Sequence, residues 1–279
     1  MLYVYLVASA ALIVLLNNFV NILNASYSWW LCIVLLLGFT LAFVIIQLLI
    51  LVICVQTVNL KSDPDKNSKA FRKLIEISLP LLFTLVRVKV HTSGLDKLPE
   101  TDRVMLVCNH THEIDPAVII KELPHLKLGF IAKKEAYDMY PFVAKAMHRL
   151  HCLPIDRENN REAAKTIVKA SKYLKERQAS IGIFPEGYAN VDGNLQPLRN
   201  GAFKIAVKAE APIVVCTLTG MCYIHKRLFI KHTDVYLDIV DVIYPEEFVD
   251  GHTDAIGDRV YNAMKKSLDE RRASIENEK

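Results

Sequence analysis

The segment Asn109-His110-Thr111-His112-Glu113-Ile114-Asp115-Pro116 holds the residue types of a proton-transfer centre. Imidazole is the side chain whose ordinary pKa lets it take up and return a proton near neutral pH. Asp115 can accept a hydrogen bond from one ring nitrogen of His110. That bond would fix the tautomer and stabilise the imidazolium formed when the other nitrogen is protonated. Asp115 also precedes Pro116, where a helix N-cap belongs, and capping alone would account for it. The setting favours the catalytic reading. Val104–Cys108 is an apolar run that reads as a buried strand, so Asn109 and His110 stand at its carboxyl end.

A second constellation, Phe184-Pro185-Glu186-Gly187, follows the apolar run that begins at Ile181. In parallel sheets, sites gather at the carboxyl ends of strands, so this loop is expected near His110. Gly187 permits a positive φ or close backbone approach. Glu186 can bond a substrate hydroxyl, hold a cation, or pair with a nearby Lys or Arg. Arg157 has the fork that fits phosphate oxygens, with a surface ion pair to Asp156 or Glu158 as its plainer role. Lys133 and Lys204 carry the same two readings. Cys108 is a thiol beside the site, but an apolar strand raises a thiol's pKa and argues against a covalent mechanism. His110, His112 and Asp115 also allow a metal reading. Its spacing differs from the His-x-His-x-Asp-His pattern, because the Asp comes one residue late and no His follows.

The elements that must position these residues alternate along the chain. Strand-like runs are Val86–Val90, Val104–Cys108, Leu128–Ala132, Cys152–Ile155, Ile181–Phe184, Ile213–Leu218 and Val235–Val242. Helix-like runs lie at Pro116–Glu122, Glu135–Leu150, Asn160–Arg177, Ala202–Ala209 and about Asp254–Arg272, with a charged, frayed tail beyond. Such alternation predicts an α/β domain with a mostly parallel central sheet. Ser68–Val86 reads as a further helix. It either lies in a lipid headgroup layer or packs on the domain, and Pro80 is expected to kink or restart it.

The first 60 residues contain no Asp, Glu, Lys, Arg or His. A stretch that long without charge has no polar face for water. Two apolar runs fill it, Leu2–Leu16 (extending at most to Leu23) and Trp29–Val58. Asn17, Asn18, Asn21, Asn24, Ser26 and Ser28 lie between them. The second run exceeds the roughly 20 residues that a bilayer core requires. Tyr27, Trp29 and Trp30 sit where aromatic rings favour the membrane boundary. A helical hairpin anchor is expected, in preference to one span with a re-entrant segment. A cleaved signal peptide is disfavoured because no basic residue precedes the run. Lys61, Lys66, Lys69, Arg72 and Lys73 follow at once, which puts the next domain on the cytoplasmic face. The net charge of +4 gives no argument for nucleic acid as a partner. None of the six cysteines forms a Cys-x-x-Cys pair, and reduced thiols are expected.

The blocks together resemble those of the glycerolipid acyltransferases, specifically the PlsC-like lysophosphatidic acid acyltransferase branch. Asn109-His110-x4-Asp115 looks like its first block. Ala132-Lys133-Lys134-Glu135 with Leu153-Pro154-Ile155-Asp156-Arg157 looks like the second. Phe184–Gly187, continuing to Asp192-Gly193 and Gly201-Ala202-Phe203-Lys204, looks like the third, and Ala211-Pro212-Ile213-Val214-Val215 like the fourth. The resemblance covers roughly residues 85–220. It implies transfer of a fatty acyl group from acyl-CoA or acyl carrier protein, used as substrate rather than cofactor, to the free hydroxyl of a lysophospholipid. The acceptor it implies is 1-acylglycerol-3-phosphate, and the product is phosphatidic acid, made at a membrane. His110 and Asp115 would be catalytic. Asn109, Lys133, Arg157, Phe184, Pro185, Glu186, Gly187 and Lys204 would bind substrate, and no metal is implied.

Two departures from the family pattern stand out. Tyr188-Ala189-Asn190 stands where the family carries Thr-Arg-Ser, so a phosphate-facing arginine has no counterpart there, and Arg157, Arg199 or Lys204 would have to serve. Val215 replaces the second proline of the fourth block. Other readings are an acyltransferase for a different lysolipid, a non-catalytic lipid-binding homologue and a metal-dependent hydrolase. The expected organisation is an anchoring hairpin at 1–60, a basic linker with an interfacial or packing helix at 61–86, and an acyltransferase domain at 87–279.

Overall fold

A computed structural model describes residues 2–20, 28–62, 64, 68–224, 231–248 and 252–277. Asn21, Asn24 and Ser26 of the polar patch lie outside the described residues, as do the boundary aromatic Tyr27 and Lys66 of the linker. Two apolar helices open the chain, α1 (Leu2–Val20) and α2 (Ser28–Gln56). They run antiparallel. Ser9 Oγ meets Thr40 Oγ1 at 3.1 Å, and the Tyr5 and Phe43 rings stack at 6.2 Å. Only one described stretch, Leu31–Gln56, is long and apolar enough to cross a membrane. Its Leu37, Leu41 and Ile53 side chains point away from the rest of the chain.

Seven strands form one sheet, β1 (Val88–Ser93), β2 (Met105–Cys108), β3 (Leu128–Lys133), β4 (Leu153–Ile155), β5 (Ser180–Ile183), β6 (Ile213–Thr219) and β7 (Thr233–Ile243). Their order is β1-β7-β6-β2-β5-β3-β4, and only the β6–β7 pair is antiparallel. All seven strands fall on the runs expected from sequence, within a few residues at each end. The two-residue period of a strand sorts its side chains between two cores. Leu106 and Cys108 of β2 join one, while Met105 and Val107 join the other.

The first core lies under α2, α3 (Ser68–Leu85), α4 (Asp115–Glu122) and the fringe of α6 (Pro141–Arg149), with Val55, Phe71, Phe83, Val118 and Ile119 among its members. The second lies under α7 (Asn160–Lys175), α8 (Lys204–Ala209) and the C-terminal helix α9 (Thr253–Asn277), through Leu174, Phe203, Ile205, Val260 and Met264. The apolar hairpin and α7–α8 are therefore on opposite faces of the sheet.

Several local expectations change. The Glu135–Leu150 run is two helices, α5 (Lys134–Met139) and α6, because Pro141 cannot donate an amide and pushes Tyr140 out of the α region, to φ −126° and ψ 74°. Pro80 does not end α3, which continues to Leu85. Six of its residues, including Phe71, Leu79 and Phe83, are buried, so α3 packs on the domain. Arg72 is buried as well. Its guanidinium donates to the carbonyls of Leu128 and Leu150 at 3.0 and 3.1 Å, so it is not a free surface charge. Beyond Arg272, α9 continues to Asn277, and Arg272 donates to the Gly193 carbonyl.

Candidate active site

β2 delivers His110 to the carboxyl edge of the sheet, and β5, its direct neighbour, delivers Phe184–Gly187 to the same edge. His110 Nδ1 lies 2.9 Å from Asp115 Oδ2. The same oxygen accepts the amides of Thr111 at 2.7 Å and His112 at 2.8 Å. Asp115 is therefore not the helix cap that its position before Pro116 implied. Ile114 is the N-cap residue of α4, and the Asp115 carboxylate turns back into the preceding loop. The Asp115 side chain is fully buried while His110 keeps 18% exposure, so the acid is shielded and the imidazole is reachable.

The imidazole rests on an aromatic stack. Its ring lies 4.2 Å from that of Phe184, which lies 5.5 Å from that of Phe130. Room for Phe130 comes from Gly182 on β5, where a Cβ would run into the Phe130 ring. Main-chain bonds hold the loop as well. The Asn190 amide donates to the His110 carbonyl at 2.8 Å. Asn109 is buried, donating to the Leu218 carbonyl at 3.0 Å and accepting the Leu218 amide at 2.7 Å, which ties the β2 end to β6.

Glu186 bridges two main-chain amides with its carboxylate. Oε1 accepts the His110 amide at 2.7 Å, and Oε2 accepts the Gln196 amide at 2.8 Å. Burial pushes its carboxyl above the usual glutamate range, against the pull of these two amides. Its place is between the histidine loop and the segment that leads to Arg199. Cys108 is fully buried, and burial, with Cys216 beside it, raises its thiol well above the ordinary value. A thiolate nucleophile there is disfavoured. Of the histidine pair, His112 is buried and its Nδ1 accepts the Ile114 amide at 3.1 Å. Among the described residues, no group of three His, Cys, Asp or Glu side chains is placed to hold a metal ion.

Arg157 and Arg199 converge on Gly187. A Cβ there would stand 3.0 Å from Arg199 Nε and 3.2 Å from Arg157 Nη1, and Gly187 has φ +91°. Both the turn and the close approach require glycine. Burial, then the neighbouring Arg199, lowers the Arg157 pKa, as expected for like charges held together. The two guanidinium groups line a cavity of about 500 Å³ with Phe184, Pro185, Gly187 and Lys204, and Ile131, Ile155, Ile167 and Ile183 supply apolar wall. Lys133 is not among the lining residues, and its ammonium pairs with Glu135 at 3.5 Å. Arg199 stood outside the expected substrate-binding set. Its sequence signal was its place two residues before Gly201-Ala202-Phe203-Lys204.

Comparison with known proteins finds acyltransferases. The Acyltransferase family model matches residues 88–219. The 1-acyl-sn-glycerol-3-phosphate acyltransferase of Borreliella burgdorferi is 30% identical over 184 residues, 63% of this chain and 70% of that protein. A probable 1-acyl-sn-glycerol-3-phosphate acyltransferase of Mycoplasma pneumoniae is 29% identical over 190 residues, 66% of this chain and 70% of the relative. The crystal structure of PlsC, the 1-acyl-sn-glycerophosphate (LPA) acyltransferase of Thermotoga maritima, shares the fold. Its TM-score is 0.62 at 22% identity, over 80% of this chain and 88% of that one. The sheet-edge His–Asp pair is thus set in an acyltransferase. Within that class the chain belongs to the PlsC-like 1-acyl-sn-glycerol-3-phosphate acyltransferase family.

Proposed function

We propose that the protein acylates the free hydroxyl of 1-acylglycerol-3-phosphate to give phosphatidic acid, with His110 as general base and Asp115 as the group that orients it. Arg157 and Arg199 bind the acceptor phosphate. The observation that carries this reading is their convergence on Gly187, in the cavity walled by the phenyl ring on which His110 rests. Two adjacent guanidinium groups repel each other, and a phosphate between them turns that repulsion into two charge-assisted contacts. Arg199 supplies the cation absent at Tyr188-Ala189-Asn190.

In this mechanism the acceptor oxygen attacks the thioester carbonyl carbon while His110 Nε2 takes its proton. Asp115, bonded to Nδ1, stabilises the imidazolium. The tetrahedral adduct collapses with cleavage of the C–S bond, and His110 returns the proton to the departing sulfur. The products are the ester and the free thiol of the carrier. No covalent acyl-enzyme is required, because the acceptor is itself the nucleophile. Glu186, Phe184 and Pro185 position the centre, Asn109 ties its loop to β6, and Lys204 and Lys133 supply positive charge along the approach.

The hairpin of α1 and α2 would hold this edge at a membrane, with the domain on the cytoplasmic side, where Lys61, Lys69 and Lys73 follow the apolar run. Both the acyl product and the acceptor reside in lipid, so anchoring raises their local concentration. The proposed units are the hairpin at 1–60, a packing helix with its basic linker at 61–86, and the catalytic domain at 87–279. The test is acyl transfer by the full chain in membranes, with a panel of labelled lysolipids and with acyl-CoA and acyl carrier protein as donors. Lysophosphatidic acid should be acylated and His110→Ala should abolish transfer. Transfer that survives this substitution, or that prefers an acceptor without a phosphate monoester, would overturn the assignment.

A further inference from the structure

The segment from Tyr188 to Arg199 contains no helix or strand, yet both halves of the site lean on it. Near its start, the Asn190 amide donates to the His110 carbonyl at 2.8 Å. Near its end, the Gln196 amide donates to Glu186 Oε2 at 2.8 Å, and the Arg199 amide donates to the Pro185 carbonyl at 3.0 Å. The Arg199 guanidinium then reaches Gly187 beside Arg157. Between these ends the chain makes a tight turn. Asn190 Oδ1 accepts the Asp192 amide at 3.3 Å, the Asn190 carbonyl accepts the Gly193 amide at 3.0 Å, and Gly193 has φ +73°. A surface loop of this kind moves unless a neighbouring element holds it.

Arg272 of α9 supplies that hold. Its Nη2 donates to the Gly193 carbonyl, and its Nη1 donates to Asn194 Oδ1 at 3.3 Å. The two nitrogens of one planar fork thus grip consecutive residues at the turn. The helix that carries the fork is itself fixed to the sheet. Val260, Met264 and Leu268 of α9 are buried. Ser267 Oγ lies 2.9 Å from Thr217 Oγ1 of β6. Arg271 donates to Asp238 of β7 from Nε at 2.9 Å and from Nη2 at 2.6 Å, and its guanidinium lies over the Tyr236 ring. Arg272 is the next residue, so it reaches the loop from a rigid support. This contact also comes from outside the segment that the Acyltransferase model matches, which ends at residue 219.

We propose that Arg272 is a positioning residue for the acceptor phosphate, acting on Arg199 through the loop at 188–199. The proposal rests on the reading of Arg157 and Arg199 as the phosphate pair, and adds the group that keeps the two together before the phosphate arrives. Adjacent guanidinium groups repel each other, so Arg199 swings away from Arg157 wherever its loop can move. The grip on Gly193 and Asn194, followed by the Gln196–Glu186 bond, leaves only a short tether to Arg199 and opposes that swing. A site held open in its binding geometry loses less freedom when the ligand binds. The His110 ring is held separately, by Asp115 and by the Phe184 ring. Loss of Arg272 should therefore weaken acceptor binding far more than it slows the chemical step.

The test uses the full chain in phosphatidylcholine nanodiscs, with whichever of palmitoyl-CoA and palmitoyl-acyl carrier protein gives the higher rate. Arg272→Ala should raise the KM for lysophosphatidic acid by about fivefold or more and leave kcat within about twofold of wild type. Arg272→Lys keeps the charge and the stem but loses the fork, so it should show a smaller rise in a chain that melts like wild type. In an Arg199→Ala background neither change should raise the KM further, because the residue through which Arg272 acts is gone. The KM for a monoacylglycerol should be unaffected throughout. An unchanged KM for lysophosphatidic acid in both variants would overturn the role of Arg272 while leaving acyl transfer intact. So would a further rise of the same size in the Arg199→Ala background, or an equal loss with monoacylglycerol. If Arg199→Ala by itself leaves the KM unchanged, the phosphate reading falls, and the role of Arg272 falls with it.

Discussion

Asp115 Oδ2 lies 2.9 Å from His110 Nδ1, and the same oxygen accepts two main-chain amides from the intervening loop. One buried carboxylate thus fixes both the ring and the backbone that carries it. In Asp115→Asn, the amide oxygen can still accept from Thr111 and His112, so the loop should persist. The negative charge opposite the imidazolium is lost, and the tautomer it enforces can reverse. The expected result is a kcat lower by about 10³- to 10⁴-fold with little change in the melting temperature. Initial rates and thermal unfolding measured on the same preparation check this, and wild-type turnover in the variant would show that Asp115 does not orient the base.

Glu186 bridges the His110 and Gln196 amides with its two oxygens. In Glu186→Gln, one of these amides must face an NH₂ group, so one bridge breaks. The resulting drift of the histidine loop should lower kcat by up to about 100-fold. The pH dependence of stability has a defined sign. Burial lifts the folded-state pKa above the unfolded glutamate value of about 4.3, so the folded chain holds this proton to higher pH. Its contribution to stability is therefore largest below about 4.3 and is lost as pH rises through the raised value. Melting curves of wild type against the Gln variant should show the wild-type advantage shrinking over that window. An advantage that grows with pH would contradict the assignment.

Arg157 and Arg199 meet at one glycine, so their roles should be coupled. Arg157→Ala and Arg199→Ala should each raise the KM for lysophosphatidic acid by about 10- to 100-fold, the loss expected of one charge-assisted hydrogen bond. The double variant should lose less than the product of the two, because both arginines serve one phosphate. A monoacylglycerol offered at high concentration should be insensitive to either change. Unchanged KM in Arg199→Ala would return the phosphate site to Arg157 and Lys204.

The end of α2 packs into the domain, apart from any anchoring by the proposed hairpin. Val55 and Val58 are buried, and Val55 packs in the core that also holds Phe71 and Phe83. Removal of residues 1–44 should leave that contact in place. This truncation should melt within a few degrees of the full chain, act on detergent-dispersed substrate and lose binding to vesicles. Removal of residues 1–60 also strips Val55 and Val58, each worth about 1.5–3 kcal/mol when fully buried. The longer truncation should therefore melt clearly lower, and equal melting temperatures for the two would show that α2 does not support the domain.

Much of this protein is legible along the chain. Seven apolar runs separated by helical periodicity mark seven strands, because alternation and strand length are local properties of the sequence. The uncharged opening of 60 residues marks the apolar hairpin by composition alone. The resemblance of four blocks points to the family that the comparisons show, and singles out His110 and the loop at Phe184–Gly187 as its candidate site. Tertiary structure decides the rest, since the deciding contacts join residues far apart in sequence. Asp115 reads locally both as a cap and as a partner of His110, and the fold of the loop selects the second. Glu186 reads as a free loop acid until β5 is set beside β2, when its oxygens meet the His110 and Gln196 amides. Arg199 is one of three possible substitutes for the missing arginine in the sequence, and the chain's return past Gly187 sets it beside Arg157. That the hairpin packs on one face of the sheet and α7–α8 on the other is likewise fixed by strand order and packing, which local periodicity does not encode.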